Sequence, residues 1–445
     1  MLISVLGAGY VGLVTAACLA RLGNHVRCVD THRGRIAQLQ RGGLPIHEPG
    51  LAEAVQEGIA ARRLTFHSEN AALRGTALTI VAVGTLDKAG EWTADTVWDA
   101  VLATARDAAA PRRIVIRSTL LPGTATQIQA AVQAVDGWVE IGHNPEFTRE
   151  GSAVTDFLNP ERIVIGIQDP ARREGVAADL LRLYEALRAP TVITDLTSAE
   201  MIKVGSNVFL AAKIAFANEL ARLAAAVGAD VSGVVDGIGF DRRIGRQFLS
   251  PGPGFGGSCF PSQARALPEL AARLGVSTPL MSAIWPSNEE QATWLIARME
   301  AALGRPVAGV RAALLGVTFK AGTDDLRESP ALRLARLLVE SGAGVALYDP
   351  SGTERAQQAL GDARLEAQSC PDATSAAAGA DVIVVATEWP EFHELDWEAV
   401  AKVAQGRLVV DARRVVDVGR AAAAGFDVLV LGMPAGFRVS GPPRR

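Results

Sequence analysis

The sequence contains few residues of the kinds that build metal sites and disulfide frameworks. Its 445 residues include only four cysteines and six histidines. Cys18, Cys28, Cys259 and Cys370 lack the spacing of metal ligands and do not form the pattern of a disulfide framework. Because the histidines are scattered along the chain as well, we expect no metal site.

Long runs of one character are also missing. No apolar run reaches the roughly 18 residues that span a membrane, and no basic leader precedes the first apolar segment. We therefore expect neither a membrane partner nor a secretory signal, and we predict a cytoplasmic protein. The formal net charge is -4 without a long basic run, which argues against nucleic acid as a main partner.

The composition is that of a globular protein of more than one domain. Hydrophobic residues make up 49% and charged residues 21% of the chain. A chain of 445 residues exceeds one ordinary hydrophobic core, so two or three domains are expected.

The first 30 residues have the pattern of a dinucleotide-binding unit. Leu2 to Leu6 predicts a buried strand, Gly7-Ala8-Gly9-Tyr10-Val11-Gly12 has the spacing G-x-G-x-x-G, and Leu13 to Leu22 predicts a helix. A second strand, His25 to Val29, ends on Asp30. In this context the glycines form a turn beside a pyrophosphate, and the carboxylate binds the ribose hydroxyls.

The acid at the end of the second strand favours NAD over NADP, because a carboxylate repels a 2'-phosphate. The alternative is a tight strand-to-helix turn that holds no cofactor. The glycine spacing alone does not exclude that alternative, but the strand, helix and acid around it favour the cofactor.

Further strands alternate with helices, which is typical of a parallel, doubly wound sheet. The predicted strands are Ala77 to Gly84, Arg113 to Ser118 and Arg162 to Ile167. Ligands bind beyond the carboxyl ends of such strands. Polar segments stand at these positions: Gly84-Thr85, Ser118-Thr119 and Asn144 to Gly151. Each of them alone could be ordinary turn chemistry.

A long helix is predicted from Ala199 to about Val227, preceded by the capping-box pattern Thr197 to Glu200. A helix of this length predicts a spacer or a subunit interface. Lys203 and Asn207 stand four residues apart and share a face, so they could stabilise an oxyanion. The alternative is a solvated polar stripe.

The last third of the chain predicts a second parallel sheet. Its strands are Arg311 to Val317, Val345 to Tyr348, Asp381 to Ala386, Arg407 to Asp411 and Phe426 to Leu431, and a helix from Pro330 to Glu340 follows the first strand. Residues 440–445 read as a frayed end. The predicted fold class is therefore α/β, with two doubly wound Rossmann-like domains joined by a long central helix.

One glycine-rich segment, Gly254 to Pro261, contains Cys259. A cysteine in an open loop can be a nucleophile if its thiolate is stabilised and reachable. Glycines let a ligand lie close to the backbone there. The alternative is a tight turn with a small buried thiol.

Taken together, these motifs resemble the UDP-glucose/GDP-mannose dehydrogenase family over nearly the whole chain. The resemblance rests on these segments: 7–13, Pro45 to Leu51, Asn144 to Gly151, Ala199 to Lys203, Asn207, Lys213, Asn218-Glu219, Arg243 to Gly245, Pro253 to Pro261, Phe319-Lys320 and Thr323 to Pro330.

The resemblance implies a division into an NAD-binding domain at 1–196, a central helical dimerisation domain at 197–300 and a UDP-sugar-binding domain at 301–445. It implies a homodimer that uses NAD to oxidise the C6 alcohol of a nucleotide sugar to the carboxylate, with UDP-glucose to UDP-glucuronate as the foremost reaction. Cys259 would carry the thiohemiacetal and thioester, Lys203 and Asn207 would stabilise oxyanions, and Thr119 and Glu146 would order the hydrolytic water.

The same resemblance implies the binding residues. Those for NAD are Gly7, Gly9, Tyr10, Val11, Gly12, Asp30, Arg35, Gly84, Thr85, Thr119, Glu150 and Arg327. Those for the nucleotide sugar are Glu146, Phe147, Lys203, Asn207, Arg243, Phe248, Phe255, Gly256, Gly257, Phe319, Lys320 and Arg413, with Arg243 supplied by the partner subunit.

The chain departs from the family pattern directly after the cysteine. The family usually has Phe-Pro-Lys-Asp there, whereas this chain has Phe260-Pro261-Ser262-Gln263. Glutamine keeps the size of the lost acid but cannot accept a proton. Three readings follow. The first is a working dehydrogenase in which Glu146, or a rearranged water, carries hydrolysis. The second is an enzyme with slow thioester hydrolysis, one that stops at the aldehyde or one that acts on another sugar, and the third is a paralogue that binds NAD and a nucleotide sugar with little turnover. The retained Cys259, Lys203 and Asn207 favour the first two.

Overall fold

The computed structural model describes residues 1–87, 89–362 and 367–434. The chain forms two compact units, Met1–Ser206 and Asn207–Arg445. The predicted frayed end at 440–445 lies outside the described residues.

The first unit is built on an eight-stranded sheet with the order β3-β2-β1-β4-β5-β6-β7-β8. All its pairings are parallel except that of β6 with β7. The strands are β1 Leu2–Leu6, β2 His25–Val29, β3 Leu64–His67, β4 Thr79–Val81, β5 Arg113–Ile116, β6 Glu140–His143, β7 Ile163–Ile167 and β8 Thr191–Asp195.

Helices connect these strands and cover the sheet. They are α1 Tyr10–Arg21, α2 Arg33–Gln40, α3 Leu51–Ala60, α4 Asp95–Arg106, α5 Thr124–Val135, α6 Ala153–Leu158 and α7 Val176–Tyr184, with short 3₁₀ turns at Asn70–Leu73 and Glu185–Leu187. One apolar cluster includes residues of α1, α3 and α7, and another includes residues of α4 and α5. Helices on both sides are what a parallel sheet requires, because both of its faces are apolar.

Helix α8, Leu196–Val227, passes from the first unit into the second. Its predicted capping box is wrong. The helix begins one residue before Thr197, and the side chain of Asp195 accepts hydrogen bonds from the backbone N–H and the hydroxyl of Ser198, at 2.8 and 2.6 Å. The Glu200 carboxylate accepts instead from Gly123 and Ala125, at 2.6 Å each, where α5 begins.

The second unit contains a six-stranded sheet with the order β11-β10-β9-β12-β13-β14, parallel throughout. Its strands are β9 Arg311–Leu315, β10 Gly344–Tyr348, β11 Ala367–Ser369, β12 Val382–Val385, β13 Leu408–Asp411 and β14 Asp427–Val430. Its helices are α9 Val231–Gly239, α10 Cys259–Arg273, α11 Pro279–Leu303, α12 Pro330–Glu340, α13 Thr353–Asp362, α14 Ala373–Ala377, α15 Pro390–His393, α16 Trp397–Val403 and α17 Val418–Ala423.

The predicted fold class is confirmed: two doubly wound Rossmann-like sheets are joined by a long helix, and only the β6–β7 pairing of the first sheet departs from the expected parallel arrangement. Each strand predicted from an apolar run overlaps an observed strand. Four short strands, β3, β6, β8 and β11, were not predicted, because three to five residues of mixed character carry little periodicity. In the described part of the chain, every helix is too short or too polar to cross a bilayer.

Replacing Glu200 by glutamine is expected to change how stability depends on pH. Burial raises the pKa of Glu200 to about 7, from an ordinary value of 4.5. Between these pH values the folded protein holds a proton that the unfolded chain has released. The free energy of unfolding therefore falls as pH rises through this window, by up to about 3 kcal/mol for this residue.

In urea unfolding, the stability deficit of Glu200→Gln relative to the parent protein should shrink between pH 5 and pH 8. Glu69→Gln, at an exposed position, is the control. A deficit that is constant across this range would contradict the prediction.

Candidate active site

The turn after β1 has the steric properties of a dinucleotide-binding loop. Gly7 has φ of +106°, and a methyl group there would lie 2.4 Å from the carbonyl oxygen of Ala82. A methyl group on Gly12 would lie 1.9 Å from the carbonyl oxygen of Gly7. On Gly9, by contrast, it would meet no described protein atom within 4 Å. Open space at the start of α1 therefore fits the approach of a pyrophosphate.

Asp30 follows β2 and is held as an anion. One carboxylate oxygen accepts from the backbone N–H of Ala8 at 2.7 Å and from Arg35 at 2.9 Å, and the other accepts from the N–H of His32 at 2.8 Å. Burial opposes ionisation, but these hydrogen bonds outweigh it and lower the pKa of Asp30. A carboxylate beside the glycine turn suits ribose hydroxyls, so this part of the structure fits NAD.

The Pro45 to Leu51 motif had no predicted role, and its Glu48 proves to be a structural centre. The Glu48 side chain is buried and accepts from the N–H groups of Gly151 and Ala153, at 2.7 Å each. The Tyr10 hydroxyl donates to the same carboxylate. Burial, together with this hydrogen bond, raises the pKa of Tyr10.

Glu48 thus connects the dinucleotide loop to the segment that contains Glu150. An acid in a Pro-Gly turn was the available signal in the sequence. Its partners lie 38 to 105 residues away, however, and no local pattern identifies partners at that separation.

Lys203 and Glu146 form a buried ion pair. Their Nζ and Oε1 atoms are 2.9 Å apart, and the side chains are 3% and 6% exposed. The other oxygen of Glu146 accepts from the N–H and the hydroxyl of Thr148, at 2.7 and 2.6 Å. Burial opposes ionisation of Glu146, but the charge of Lys203, the hydrogen bonds and the charge of Arg117 lower its pKa overall. The Lys203 ammonium also lies 5.2 Å from the centre of the Phe147 ring.

Desolvating two charges is costly, so a buried ion pair is weak evidence for stability and marks a functional candidate. The alternative interpretation of Lys203 and Asn207 as a solvated stripe is wrong. Their side chains are buried, and they stand one turn apart on α8.

The polar strand ends of the first unit lie at one edge of the sheet. Gly84-Thr85 follows β4, Thr119 follows β5 and Glu146 follows β6, and these neighbouring strands are parallel. The carbonyl of Thr119 accepts from the Trp92 ring at 3.2 Å, and that of Thr85 accepts from Thr93 at 2.8 Å. Because β1 and β2 end at the same edge, the topology gathers these residues on the side of Asp30.

In the second unit, Cys259 is the first residue of α10 and its side chain is exposed. The predicted alternative of a buried thiol in a turn is therefore wrong. Backbone N–H groups in the first turn of a helix stabilise an anion, which favours a thiolate.

The glycines before the cysteine also have a packing role within the protein, and their contact with a ligand stays a prediction. A methyl group on Gly256 would lie 2.4 Å from the carbonyl oxygen of Glu328, and one on Gly257 would lie 3.2 Å from the Phe319 ring. Gly257 also donates its N–H to the carbonyl of Arg327 at 2.9 Å. At these two positions the absence of a side chain allows the Glu328 carbonyl and the Phe319 ring to pack against the loop backbone.

Arg413 is held close to the same loop. It donates to the carbonyls of Phe319 at 3.0 Å and Ala386 at 3.2 Å, and it forms an ion pair with Glu388 at 3.2 Å. A methyl group on Gly252 would lie 2.9 Å from its guanidinium. The second unit thus brings Arg413, Phe319 and the glycine-rich loop together.

Two other predicted sugar-binding residues lie beside this group. Phe248 has φ of +63°, a strained conformation for a side chain of its size, and its ring centre is 6.1 Å from that of Phe260. The ammonium of Lys320 lies 5.5 Å from the centre of the Phe319 ring.

Arg243 and Arg327 are placed differently from the rest. Each forms an ion pair at 2.6 Å with an aspartate two residues before it, Asp241 and Asp325. Both arginine side chains are largely exposed. Their roles toward a partner's site and toward NAD stay predictions.

The atypical pair Ser262-Gln263 lies on the buried face of α10. The Ser262 hydroxyl donates to the carbonyl of Ser258 at 2.6 Å. Gln263 is 2% exposed, and its side-chain oxygen has no hydrogen-bond partner among the described residues. Neither residue can take up a proton at neutral pH.

Comparisons with known proteins cover nearly the whole chain. Sequence models of the UDP-glucose/GDP-mannose dehydrogenase family match at residues 1–188 (NAD binding domain), 197–290 (central domain) and 313–418 (UDP binding domain).

Individual relatives agree with the family match. The chain is 37% identical to UDP-glucose 6-dehydrogenase TuaD of Bacillus subtilis over 97% of this chain and 93% of that protein. It is 38% identical to a UDP-glucose 6-dehydrogenase of Rhizobium meliloti, over 98% and 100% of the two chains. The structure of a UDP-glucose dehydrogenase from Pyrobaculum islandicum superposes with a TM-score of 0.86 at 37% identity, covering 94% of this chain and 95% of the other.

Asp30→Asn is expected to weaken NAD binding by about tenfold or more, because the amide loses the charge that strengthens hydrogen bonds to the ribose. Isothermal titration calorimetry gives the dissociation constant directly. Asp107→Asn is the matched control, since Asp107 also pairs with an arginine at 2.9 Å but at the surface. Unchanged NAD affinity in Asp30→Asn would contradict the assignment.

Proposed function

The chain belongs to the UDP-glucose/GDP-mannose dehydrogenase family, and on that basis we propose that it oxidises UDP-glucose at C6 to UDP-glucuronate. It is an NAD-dependent nucleotide-sugar dehydrogenase. The buried Lys203–Glu146 pair carries the proposal on the structural side, because it places an ammonium group where water is excluded.

The balanced reaction takes one alcohol, one water and two NAD⁺ to one carboxylate, two NADH and three protons. NAD, when bound, supplies the hydride acceptor for both oxidations. Side chains of the protein are proposed to supply the nucleophile, the oxyanion donors and the groups that order the hydrolytic water.

Cys259 is the proposed nucleophile. Its sulfur adds to the C6 aldehyde and forms a thiohemiacetal, which becomes a thioester when the second hydride leaves. Water then attacks the thioester carbon, and the thiolate departs. The exposure of Cys259 at the start of α10 supports this role, because the sulfur is reachable and the residue belongs to the first turn of a helix.

Lys203 and Asn207 are the proposed oxyanion donors. A buried cation interacts strongly with a developing negative charge, since little water screens it. Glu146 balances that cation in the resting protein, and Thr148 fixes the carboxylate through two hydrogen bonds. Thr119, beyond β5, is proposed to help order the hydrolytic water.

Gln263 bears on which of the three predicted outcomes we favour. An amide cannot serve as the base for thioester hydrolysis, so Glu146 is the proposed base. Its lowered pKa makes it a weak base while it pairs with Lys203. That observation favours slow thioester hydrolysis as the second candidate outcome.

Product stoichiometry tests the proposed function. We expect the purified protein to form two NADH per UDP-glucuronate, and we expect Cys259→Ala to form no acid, because no thioester can be made. Cys370→Ala, which alters a buried cysteine of the same unit, is the control.

A single burst of NADH with a covalent adduct on Cys259 would support the slow-hydrolysis outcome. Steady acid production by Cys259→Ala would contradict the mechanism. Binding of both ligands without any NADH would leave only the non-catalytic paralogue.

We keep the proposed division into segments 1–196, 197–300 and 301–445, which the ranges of the three family matches support. We also keep a cytoplasmic location, because a nucleophilic thiol must stay reduced. The remaining binding roles, including those of Phe147, Phe248 and Lys320, are proposals of the same kind.

A homodimer through α8 is the proposed assembly. Phe209, Phe216 and Leu223 follow one another at intervals of seven residues and are 66%, 52% and 59% exposed. An apolar stripe with that spacing suits the packing of one helix against another.

Light scattering is expected to give twice the mass of one chain, and Phe216→Glu is expected to reduce the mass toward that of a monomer. The control Glu219→Gln changes an exposed residue one turn away. A monomeric parent protein at micromolar concentration would contradict the assembly.

A further inference from the structure

The segment at 250–257, directly before α10, has neither helix nor strand, yet most of it is buried. Buried backbone N–H and C=O groups need hydrogen-bond partners, so a loop of this kind must find them outside regular structure. Three buried side-chain amides supply them here, and we call this group the amide clamp: Asn218, Asn288 and Gln291.

Asn288 pairs with both backbone groups of one residue. Its Oδ1 accepts from the N–H of Phe255 at 2.7 Å, and its Nδ2 donates to the C=O of Phe255 at 3.1 Å. Asn288 lies on α11 and is 4% exposed. The amide therefore substitutes for the neighbouring strand that a residue in a sheet would have.

Asn218 and Gln291 hold Gly252 in the same way. The N–H of Gly252 donates to Asn218 Oδ1 at 2.8 Å, and its C=O accepts from Gln291 Nε2 at 2.8 Å. Both amides are fully buried. Arg222 donates to the Gln291 oxygen at 3.0 Å, which fixes the direction of the Gln291 amide.

The part of the loop next to Asn288, at Gly254 and Phe255, is tightly packed. Gly254 has φ of +134°, and a methyl group there would lie 2.9 Å from Asn288 Oδ1. The ring of Phe255 packs against Trp285 of α11 and against Phe260 of α10, with centres 6.1 and 6.2 Å apart. Both the backbone and the side chain of Phe255 are thereby fixed to α11.

We propose that Asn288 is a positioning residue that acts through Phe255 to set the shape of the sugar-binding loop and the start of α10. The inference rests on the proposed function, in which Phe255, Gly256 and Gly257 contact the nucleotide sugar and Cys259 attacks it. Asn288 contacts neither reactant in this scheme. Its effect is transmitted by two hydrogen bonds to one backbone unit.

The test compares Asn288→Ala and Asn288→Asp with the parent. Alanine removes both hydrogen bonds, whereas aspartate keeps the acceptor and loses the donor. Gln368→Ala, which removes an exposed amide that bonds Arg311 at 3.2 Å in the same unit, is the control. The measurements are kcat, the KM for UDP-glucose, the KM for NAD and the thermal midpoint.

For Asn288→Ala we expect the KM for UDP-glucose to rise about tenfold or more, since two buried hydrogen bonds are lost. The KM for NAD should stay within about twofold, because all the proposed NAD residues except Arg327 belong to the first unit. Asn288→Asp should also raise the KM for UDP-glucose, because a carboxylate oxygen then faces the Phe255 carbonyl. A change in the two KM values by the same factor, in step with the thermal midpoint, would show a purely structural role and overturn the proposal.

A second measurement does not depend on turnover. The rate of alkylation of Cys259 by iodoacetamide, followed by peptide mass spectrometry, should fall about threefold or more in Asn288→Ala, because a loosened first turn stabilises the thiolate less. If the parent forms no NADH with UDP-glucose, the proposed function fails, and the alkylation rate still decides the role of Asn288. An alkylation rate equal to that of the parent would overturn the clamp.

Discussion

The exclusion of water from the Lys203–Glu146 ion pair is the constraint on which the rest of the first unit depends. A charge pair with side chains 3% and 6% exposed is costly to desolvate, so hydrogen bonds to its remaining charged atoms are needed to offset that cost. Thr148 binds the second carboxylate oxygen. Arg117, which is buried directly after β5, donates to Thr15, Asn144 and Tyr184 and adds a second positive charge that acts on Glu146.

In both units, irregular segments near the proposed site contain buried backbone groups that need hydrogen-bond partners. The loops there cannot use sheet or helix hydrogen bonds, so buried side chains take over that task. In the first unit, the carboxylates of Glu48 and Glu200 accept hydrogen bonds from backbone N–H groups. In the second unit the amide clamp binds the loop. Amides are needed there because they also donate hydrogen bonds to the buried carbonyl groups of the loop.

These hydrogen bonds from buried side chains also explain how segments around the proposed site can lack helix and strand structure and still be well packed. A buried backbone group that is hydrogen-bonded to a buried side chain has the partner that a neighbouring strand would otherwise supply. Glycine allows the close approach that such packing needs, as Gly256 does against the carbonyl of Glu328. The chemistry proposed for Cys259 then takes place at the end of a segment whose shape is already set.

The sequence by itself determined the two parallel sheets, the dinucleotide turn with Asp30, the long helix and the position of the cysteine. Each of these follows from residues adjacent in the chain, because strand, turn and helix patterns repeat over a few residues. The capping-box prediction at Glu200 failed for the complementary reason: the partners of Glu200 lie 75 and 77 residues away. Only the tertiary structure decided that Lys203 is buried against Glu146, that Glu48 holds Gly151 and that Asn288 holds Phe255, because these contacts join segments between which the sequence has no periodic relation.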